Sequence, residues 1–233
     1  SCDETIIGFF EACSKTLRKA YFDFTGCGNS PRELRPFSKG LSKLRNLQSL
    51  EVIIDGYTRQ GDKPIRNLCE TSFKIKSLEE LTLKIKRGCY LNDTGLHGKF
   101  PPSLKKLHLQ INHYCIISKA FKDLGSLTYL KLEVLNFQCK TSEKVFQEVN
   151  KLKLLEIFVY KEKGKNPDTQ YEGQMKRRLD SLMNKCLNLR LIVFSNKKFY
   201  GMMIFKRNCS WSEINNELSN QQNLKINYIK NYS

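Results

Sequence analysis

Two of the chain's histidines lie near a cysteine, and His and Cys are typical zinc ligands in proteins. His108, His113 and Cys115 fall in one short segment beside the end of a predicted strand. Their spacing matches none of the usual Cys and His patterns of zinc sites. We therefore expect no metal site and interpret these histidines as surface residues.

A carboxylate pair and a glycine-containing turn are the other candidates for chemistry. Glu79 and Glu80 are adjacent in sequence, and we expect both to be solvated. The turn Gly26-Cys27-Gly28 lacks the third glycine of a dinucleotide fingerprint, because Pro31 occupies its position. The sequence contains no phosphate-binding loop, nucleophile elbow, kinase signature or metalloprotease signature. We expect no catalytic residue and no cofactor, and therefore not an enzyme.

The basic side chains form a third group of candidates. The chain has 40 Lys and Arg against 23 Asp and Glu, a formal net charge of +17. A charge of this size favours encounters with nucleic acid, anionic membranes or acidic proteins. The residues we single out as contacts for RNA phosphate or an acidic partner are Lys161, Lys163, Lys165, Lys176, Arg177 and Arg178. The alternative is that these segments are ordinary solvated surface.

The cysteines indicate a compartment rather than a site. There are nine of them, an odd number, dispersed and without a Cys-x-x-Cys motif. A secreted disulfide framework usually clusters and pairs its cysteines, so we expect reduced thiols in an intracellular, reducing compartment. No apolar run approaches the length of a membrane-spanning helix, and the acidic opening Ser1–Glu4 shows no signal peptide.

An internal repeat predicts the elements that position these side chains. The pattern L-x-x-L-x-L-x-I, apolar at positions 1, 4, 6 and 8, recurs along nearly the whole chain. Successive copies are separated by 23 to 37 residues. Their first residues are Leu17, Leu47, Leu78, Leu104, Leu127, Leu152 and Leu189.

The repeat pattern predicts that strands and helices alternate along the chain. Positions 4, 6 and 8 point to one face of a strand, and positions 5 and 7 point to the other. Helical spacing of apolar residues predicts helices over 36–47, 118–127, 141–152 and 174–187, and a last one from Ser210. A doubly wound α/β domain also alternates strands and helices, but its strands are apolar on both faces. Here positions 5 and 7 are mostly polar, which favours a parallel sheet open on one face.

The repeats that begin at Leu47, Leu78, Leu104 and Leu127 resemble leucine-rich repeats of the long-period intracellular type, as in ribonuclease-inhibitor-like and F-box-associated proteins. The resemblance covers about residues 14–230, and we recognise no F-box segment in residues 1–16. It implies an α/β solenoid of about seven irregular repeats, with a curved parallel sheet on the concave side and helices on the convex side. We predict a single domain over 1–233, with a helical cap at 1–16, repeats at 17–200 and a C-terminal cap at 201–233.

The concave sheet face is the predicted binding surface. Its charges have mixed signs, whereas a phosphate-binding groove would be mainly Lys and Arg. Its C-terminal end becomes apolar at Leu154, Phe158, Leu191 and Val193, which indicates a protein interface unless the C-terminal segment folds back over it. We predict a non-catalytic protein-binding scaffold that uses Tyr21, Glu51, Lys84, His108, Tyr129, Lys131, Glu156 and Phe158. The alternative is a subunit of a ribonucleoprotein or organellar assembly that contacts RNA through the basic C-terminal segments.

Overall fold

The computed structural model describes residues 2–25, 34–55, 62–86, 100–111, 121–134, 145–162, 169–196, 201–210, 212, 214–215 and 225–232. They form an α/β protein built on one open sheet whose nine strands lie in the order of the sequence. The first seven strands are parallel, β8 is antiparallel to β7, and β9 is parallel to β8. The strands are β1 (Lys19–Thr25), β2 (Ser49–Asp55), β3 (Glu80–Ile85), β4 (Lys106–Ile111), β5 (Tyr129–Val134), β6 (Ile157–Glu162), β7 (Leu191–Asn196), β8 (Gly201–Arg207) and β9 (Lys225–Tyr232).

The strand order decides between the two architectures that the sequence allowed. A doubly wound sheet reverses its strand order part-way along. In the described strands every neighbour in the sheet is also the next strand in the chain. This order is compatible with a solenoid-like α/β fold, in which each strand adds to the end of the stack.

Helices cover one face of the sheet. They are α1 (Cys2–Cys13), α2 (Leu34–Leu41), α3 (Asp62–Phe73), α4 (145–149) and α5 (Thr169–Lys185), with a 3-10 turn at Phe121–Asp123. Nothing in the sequence pattern predicted α3. The segment 118–127, expected to be a helix, contains only the short 3-10 turn in its described part.

The main core lies between the helices and strand positions 4, 6 and 8. The position-4 residues Leu50, Leu81, Leu107 and Leu130 stack in register across β2–β5, and each is at most 1% exposed. Burying each such side chain stabilises the fold by about 1.5–3 kcal/mol. The helices contribute residues such as Leu41, Val149 and Leu179 to the same core. The predicted core face is therefore correct for these repeats.

A repeated main-chain contact joins each repeat to the next. The carbonyl at position 2 accepts two hydrogen bonds, from the amides at positions 2 and 3 of the following repeat, at 2.8–3.1 Å. Because the same contact recurs, it fixes the register of each repeat independently of the side chains. The six accepting residues are Arg18, Gln48, Glu79, Lys105, Thr128 and Glu156.

The sixth repeat begins at Leu155, so the prediction that it begins at Leu152 is wrong. In the sheet, Leu130 lies opposite Phe158 and Leu132 lies opposite Tyr160. Leu152 instead packs in the turn after α4, where it is 2% exposed. Leu152 and Leu155 are three residues apart and every residue from 157 to 160 is apolar, so two registers match the repeat pattern. The pairing with β5 selects one of them.

Candidate interaction face

The face of the sheet opposite the helices carries the side chains at positions 3, 5 and 7 of β1–β7, and we call it the open face. From β1 to β5 most of these side chains are at least partly exposed. Tyr21, at the β1 end, is 58% exposed. Six of the eight predicted partner-binding residues lie on this face: Tyr21, Glu51, Lys84, His108, Tyr129 and Lys131.

Cross-strand ion pairs organise the middle of the open face. Lys84 Nζ lies 2.6 Å from Glu51 Oε1 across β2 and β3. Lys106 Nζ lies 2.8 Å from Glu80 Oε1, between residues directly opposite each other. A hydrogen bond from Lys106 lowers the pKa of Glu80 despite partial burial, and the charge of Lys106 acts in the same direction. Opposite charges on neighbouring strands stabilise the sheet and neutralise each other locally.

Glu133 is the centre of a three-strand cluster. Its Oε1 lies 3.2 Å from His108 Nε2, 3.3 Å from Lys131 Nζ and 3.7 Å from Lys161 Nζ. Burial by itself would raise the pKa of Glu133, but the His108 hydrogen bond and the two lysine charges outweigh it and lower the pKa to about 2. Burial lowers the pKa of His108, so at neutral pH its uncharged ring donates a hydrogen bond to the carboxylate.

At the β1 end the open face carries a smaller polar pair. The Tyr21 hydroxyl donates to Asp23 Oδ2 at 3.1 Å, and the amide of Thr25 donates to Asp23 Oδ1 at 2.8 Å. Hydrogen bonds from Thr25, followed by the one from Tyr21, lower the pKa of Asp23. The ring of Tyr21 remains in solvent. Among the described residues, it is the most exposed aromatic side chain of the open face.

The C-terminal end of the open face, where the sequence left exposure and coverage open, is buried by the chain itself. Leu191 and Val193 are 0% exposed, in a second core with Val159. Met202 and Ile204 from β8, together with Ile214, complete this second core. β8 pairs antiparallel with β7 as the next strand of the same sheet, so Met202 and Ile204 extend the apolar face, and Ile214, beyond β8, packs against it. Of the two outcomes that the sequence left open, the C-terminal fold-back is the one observed.

Two predicted contact residues do not lie on the open face. Phe158 is 0% exposed and points into the main core, because the register of β6 differs from the predicted one. Glu156 precedes β6; its carbonyl accepts from Arg190 and Leu191, and its carboxylate lies 3.6 Å from Arg190 Nη2. Leu154, also expected on this face, lies in the preceding turn and is 49% exposed.

The predicted basic residues do not form one surface. Lys161 lies on the open face beside Glu133, whereas Lys176, Arg177 and Arg178 belong to α5 on the opposite side. Lys176 Nζ lies 3.6 Å from the centre of the Tyr228 ring, a cation–π contact with β9. Arg177 is exposed, and Arg178 is partly buried. Lys163 and Lys165 lie outside the described residues.

The predicted metal and carboxylate candidates give no site in the part of the chain that the structure describes. His113 and Cys115 lie outside it. Among the residues inside it, no three His, Cys, Asp or Glu side chains could hold a metal ion together. Glu79 pairs with Lys105 at 2.8 Å, in the turn before β3.

A buried carboxylate was not expected from the sequence. Glu162 takes position 8 of β6, where the aligned residue of β5 is Val134, and it is 1% exposed. Its Oε2 accepts from the Tyr171 hydroxyl at 2.6 Å and from Asn196 Nδ2 at 3.3 Å. Burial raises the pKa of Glu162 to about 7, although these hydrogen bonds oppose the shift. The residue joins β6, β7 and α5 in the core.

Comparison of the chain with models of known protein families and with curated proteins found no match. No helix in the described part of the chain is both long and apolar enough to cross a membrane.

Proposed function

We propose that the chain is a leucine-rich-repeat solenoid that binds a protein partner on the exposed part of its open face and performs no chemistry. One observation carries this proposal: the described residues leave the β1–β5 part of a parallel sheet uncovered. Parallel sheets are normally covered on both faces. An uncovered face is therefore a surface available to a partner, as in solenoids that bind along their sheet.

Two periodic contacts support the assignment to leucine-rich repeats. The first is the position-2 carbonyl that accepts two amides from the next repeat. In the second contact, the polar side chain of the residue before position 1 donates a hydrogen bond to a main-chain carbonyl of the previous repeat. That carbonyl belongs to the residue two places before position 1. Asn46 donates to Lys15 O at 3.0 Å, and Asn188 donates to Lys153 O at 2.7 Å. Ser77 and Ser103 make the corresponding bonds.

The charge pattern favours a protein over RNA. Lys84 and Lys106 each pair with a carboxylate of the open face, and Lys131 and Lys161 share Glu133, so few net positive charges remain there for phosphate. Tyr21 offers an exposed aromatic anchor of the kind that dominates protein interfaces. We propose that Tyr21, Glu51, Lys84, His108, Tyr129 and Lys131 form the contact surface.

The titration of the open face supports a non-catalytic role. With a pKa of about 2, Glu133 remains a carboxylate throughout the physiological range. A general base works best when its pKa lies near the operating pH. The His108 ring donates a hydrogen bond to the Glu133 carboxylate, which is a structural role for both residues. Cys13 and Cys186, two of the cysteines that the structure describes, are free thiols, which supports the proposal of a reducing compartment.

The test compares two exposed aromatic residues. Tyr21 on the open face and Phe9 on α1 are both 58% exposed. Immobilised wild-type chain should capture a protein from nuclease-treated extract of its native source, and the affinity for that purified protein can then be measured. We expect Tyr21→Ala to weaken binding about tenfold, as for an interface anchor, and Phe9→Ala to leave it unchanged.

The outcomes separate the two classes of partner. Equal binding by wild type, Tyr21→Ala and Lys84→Ala would contradict the proposal for the open face. Capture that disappears on nuclease treatment and falls steeply with salt would instead support the RNA-binding alternative.

A further inference from the structure

A second surface lies on the helix side of the sheet, away from the open face. A groove of about 670 Å³ runs between α2 and α3, and we call it the α2–α3 groove. One stripe of each helix lines it, since residues three or four apart share a helix face. α2 contributes Arg35, Ser38 and Lys39, and α3 contributes Glu70 and Thr71, followed by Lys74 in the turn after the helix.

The cations of this groove differ from those of the open face. Arg35, Lys39 and Lys74 are exposed, and none of them forms an ion pair with another residue that the structure describes. On the open face, Lys84 and Lys106 each contact a carboxylate. Uncompensated cations that converge on one concave surface create a local positive potential for an anionic ligand.

The floor of the groove offers hydrogen-bond acceptors rather than further cations. The Ser38 side chain is buried and its hydroxyl donates to Leu34 O at 3.1 Å, which leaves the Ser38 oxygen free to accept. Glu70 is half-buried and has no ion pair among the described residues. The groove therefore presents cations along its rim and acceptors at its base.

We propose that the α2–α3 groove binds an acidic peptide segment of a protein partner. Carboxylates of such a segment fit the rim at Arg35, Lys39 and Lys74, and its main-chain N–H groups fit the acceptors below. A nucleic-acid strand fits less well, because no aromatic ring among the described lining residues offers a stacking surface for bases. The proposal is independent of the open face and of its partner.

The test uses a fluorescein-labelled octaglutamate peptide, with an octaglutamine peptide and a twelve-nucleotide oligouridine as reference ligands. Fluorescence anisotropy is recorded with the full chain and with the variant Lys39→Glu/Lys74→Glu. The control is Lys153→Glu/Lys185→Glu, which changes two exposed lysines remote from the groove by the same total charge. At physiological salt we expect the groove variant to weaken octaglutamate binding about tenfold and the control to weaken it less than about twofold.

Each result has one meaning. Preference for octaglutamate over both reference ligands, with loss only in the groove variant, supports the site. Equal weakening in both variants overturns it, because attraction by the net charge of +17 then accounts for the binding. Stronger groove-dependent binding of oligouridine also overturns it and assigns the groove to nucleic acid. Circular dichroism checks that both variants, altered only at exposed residues, remain folded.

Discussion

Glu133 connects the open face at the scale of single residues, because side chains from β4, β5 and β6 converge on its carboxylate. The cluster neutralises lysines that would otherwise repel each other across the sheet. It also holds Lys131 and His108 in fixed positions, which reduces the entropy lost when a partner binds. The charges of the open face are therefore part of its structure as well as of its proposed contact surface.

We expect Glu133→Gln to destabilise the chain more at neutral pH than at pH 3. The pKa of Glu133 is depressed from 4.5 to about 2, so its contribution is present above pH 4.5 and is lost as the pH falls towards 2. From that shift we expect a loss on the order of 2 kcal/mol at pH 7. Urea unfolding at pH 7 and pH 3 measures the difference between variant and wild type. A difference that does not shrink at pH 3 contradicts the assignment, and Glu11→Gln at an exposed surface pair is the control.

Glu162 should show the opposite dependence on pH. Its pKa is raised from 4.5 to about 7, so the folded state keeps a proton that the unfolded chain has lost, and stability falls as the pH rises from 4.5 through 7. Glu162→Gln removes this titration and retains an oxygen that can accept from Tyr171. We expect the variant to match wild type at pH 5 and to exceed it by about 1–3 kcal/mol at pH 8, in denaturant unfolding. A loss of stability at pH 8 would show that the carboxylate is needed in its charged form.

At the scale of elements, the contact between α1 and α2 depends on the absence of one side chain. A Cβ at Gly40 would lie 2.2 Å from the Phe10 ring. Phe10 is 1% exposed, and its ring contacts Phe22 and Phe37 at centroid distances of 5.6 and 6.1 Å. The ring therefore has little room to move, and α1 can pack on α2 only where no Cβ intervenes.

Helix propensity and packing predict opposite effects at this position, which makes the contact testable. Alanine is a better helix former than glycine by about 1 kcal/mol, so an exposed Gly→Ala change in a helix should stabilise. We expect Gly40→Ala instead to destabilise by about 1–3 kcal/mol through overpacking. Gly8→Ala and Gly173→Ala are matched controls, since a Cβ there meets no atom within 4 Å, and both should be neutral or stabilising. Thermal unfolding of the three variants decides the point.

At the scale of the whole molecule, the sheet has two different halves. The first five strands present the polar open face, whereas the same face of β6–β8 is mostly apolar and buried, with Ile214 packed against it. The C-terminal segment thus closes an apolar surface that the repeats by themselves leave exposed. This cover confines the proposed partner to the N-terminal part of the sheet.

Removal of residues 197–233 should uncover Val159, Leu191 and Val193 together. We expect the truncated chain to self-associate and to bind a dye for exposed apolar surface, as large apolar patches promote association. Light scattering after size-exclusion chromatography measures the mass. The replacement of Val159 and Val193 by Ser in the truncated chain should restore the monomer, and continued association of that variant would contradict the explanation.

The sequence by itself determined the alternation of strands and helices and the core face of most repeats. Local apolar periodicity dictates which face of a strand is buried, as at Leu50, Leu81 and Leu107. It also predicted the polar character of the face opposite the helices. Those properties depend on neighbours in sequence, and a single chain is sufficient to infer them.

Only the tertiary structure decided the register of β6, the cover over β7 and the separation of the basic residues. Phe158 and Val159 are adjacent apolar residues, so only pairing with β5 could assign each to a face. The repeat that begins at Leu155 contributes side chains to both cores, one on each side of the sheet. Its strand therefore lacks the alternation of apolar and polar residues from which the register could be predicted. Lys161 and Lys176 are close in sequence but lie on opposite sides of the sheet, because the chain crosses from β6 to α5 between them.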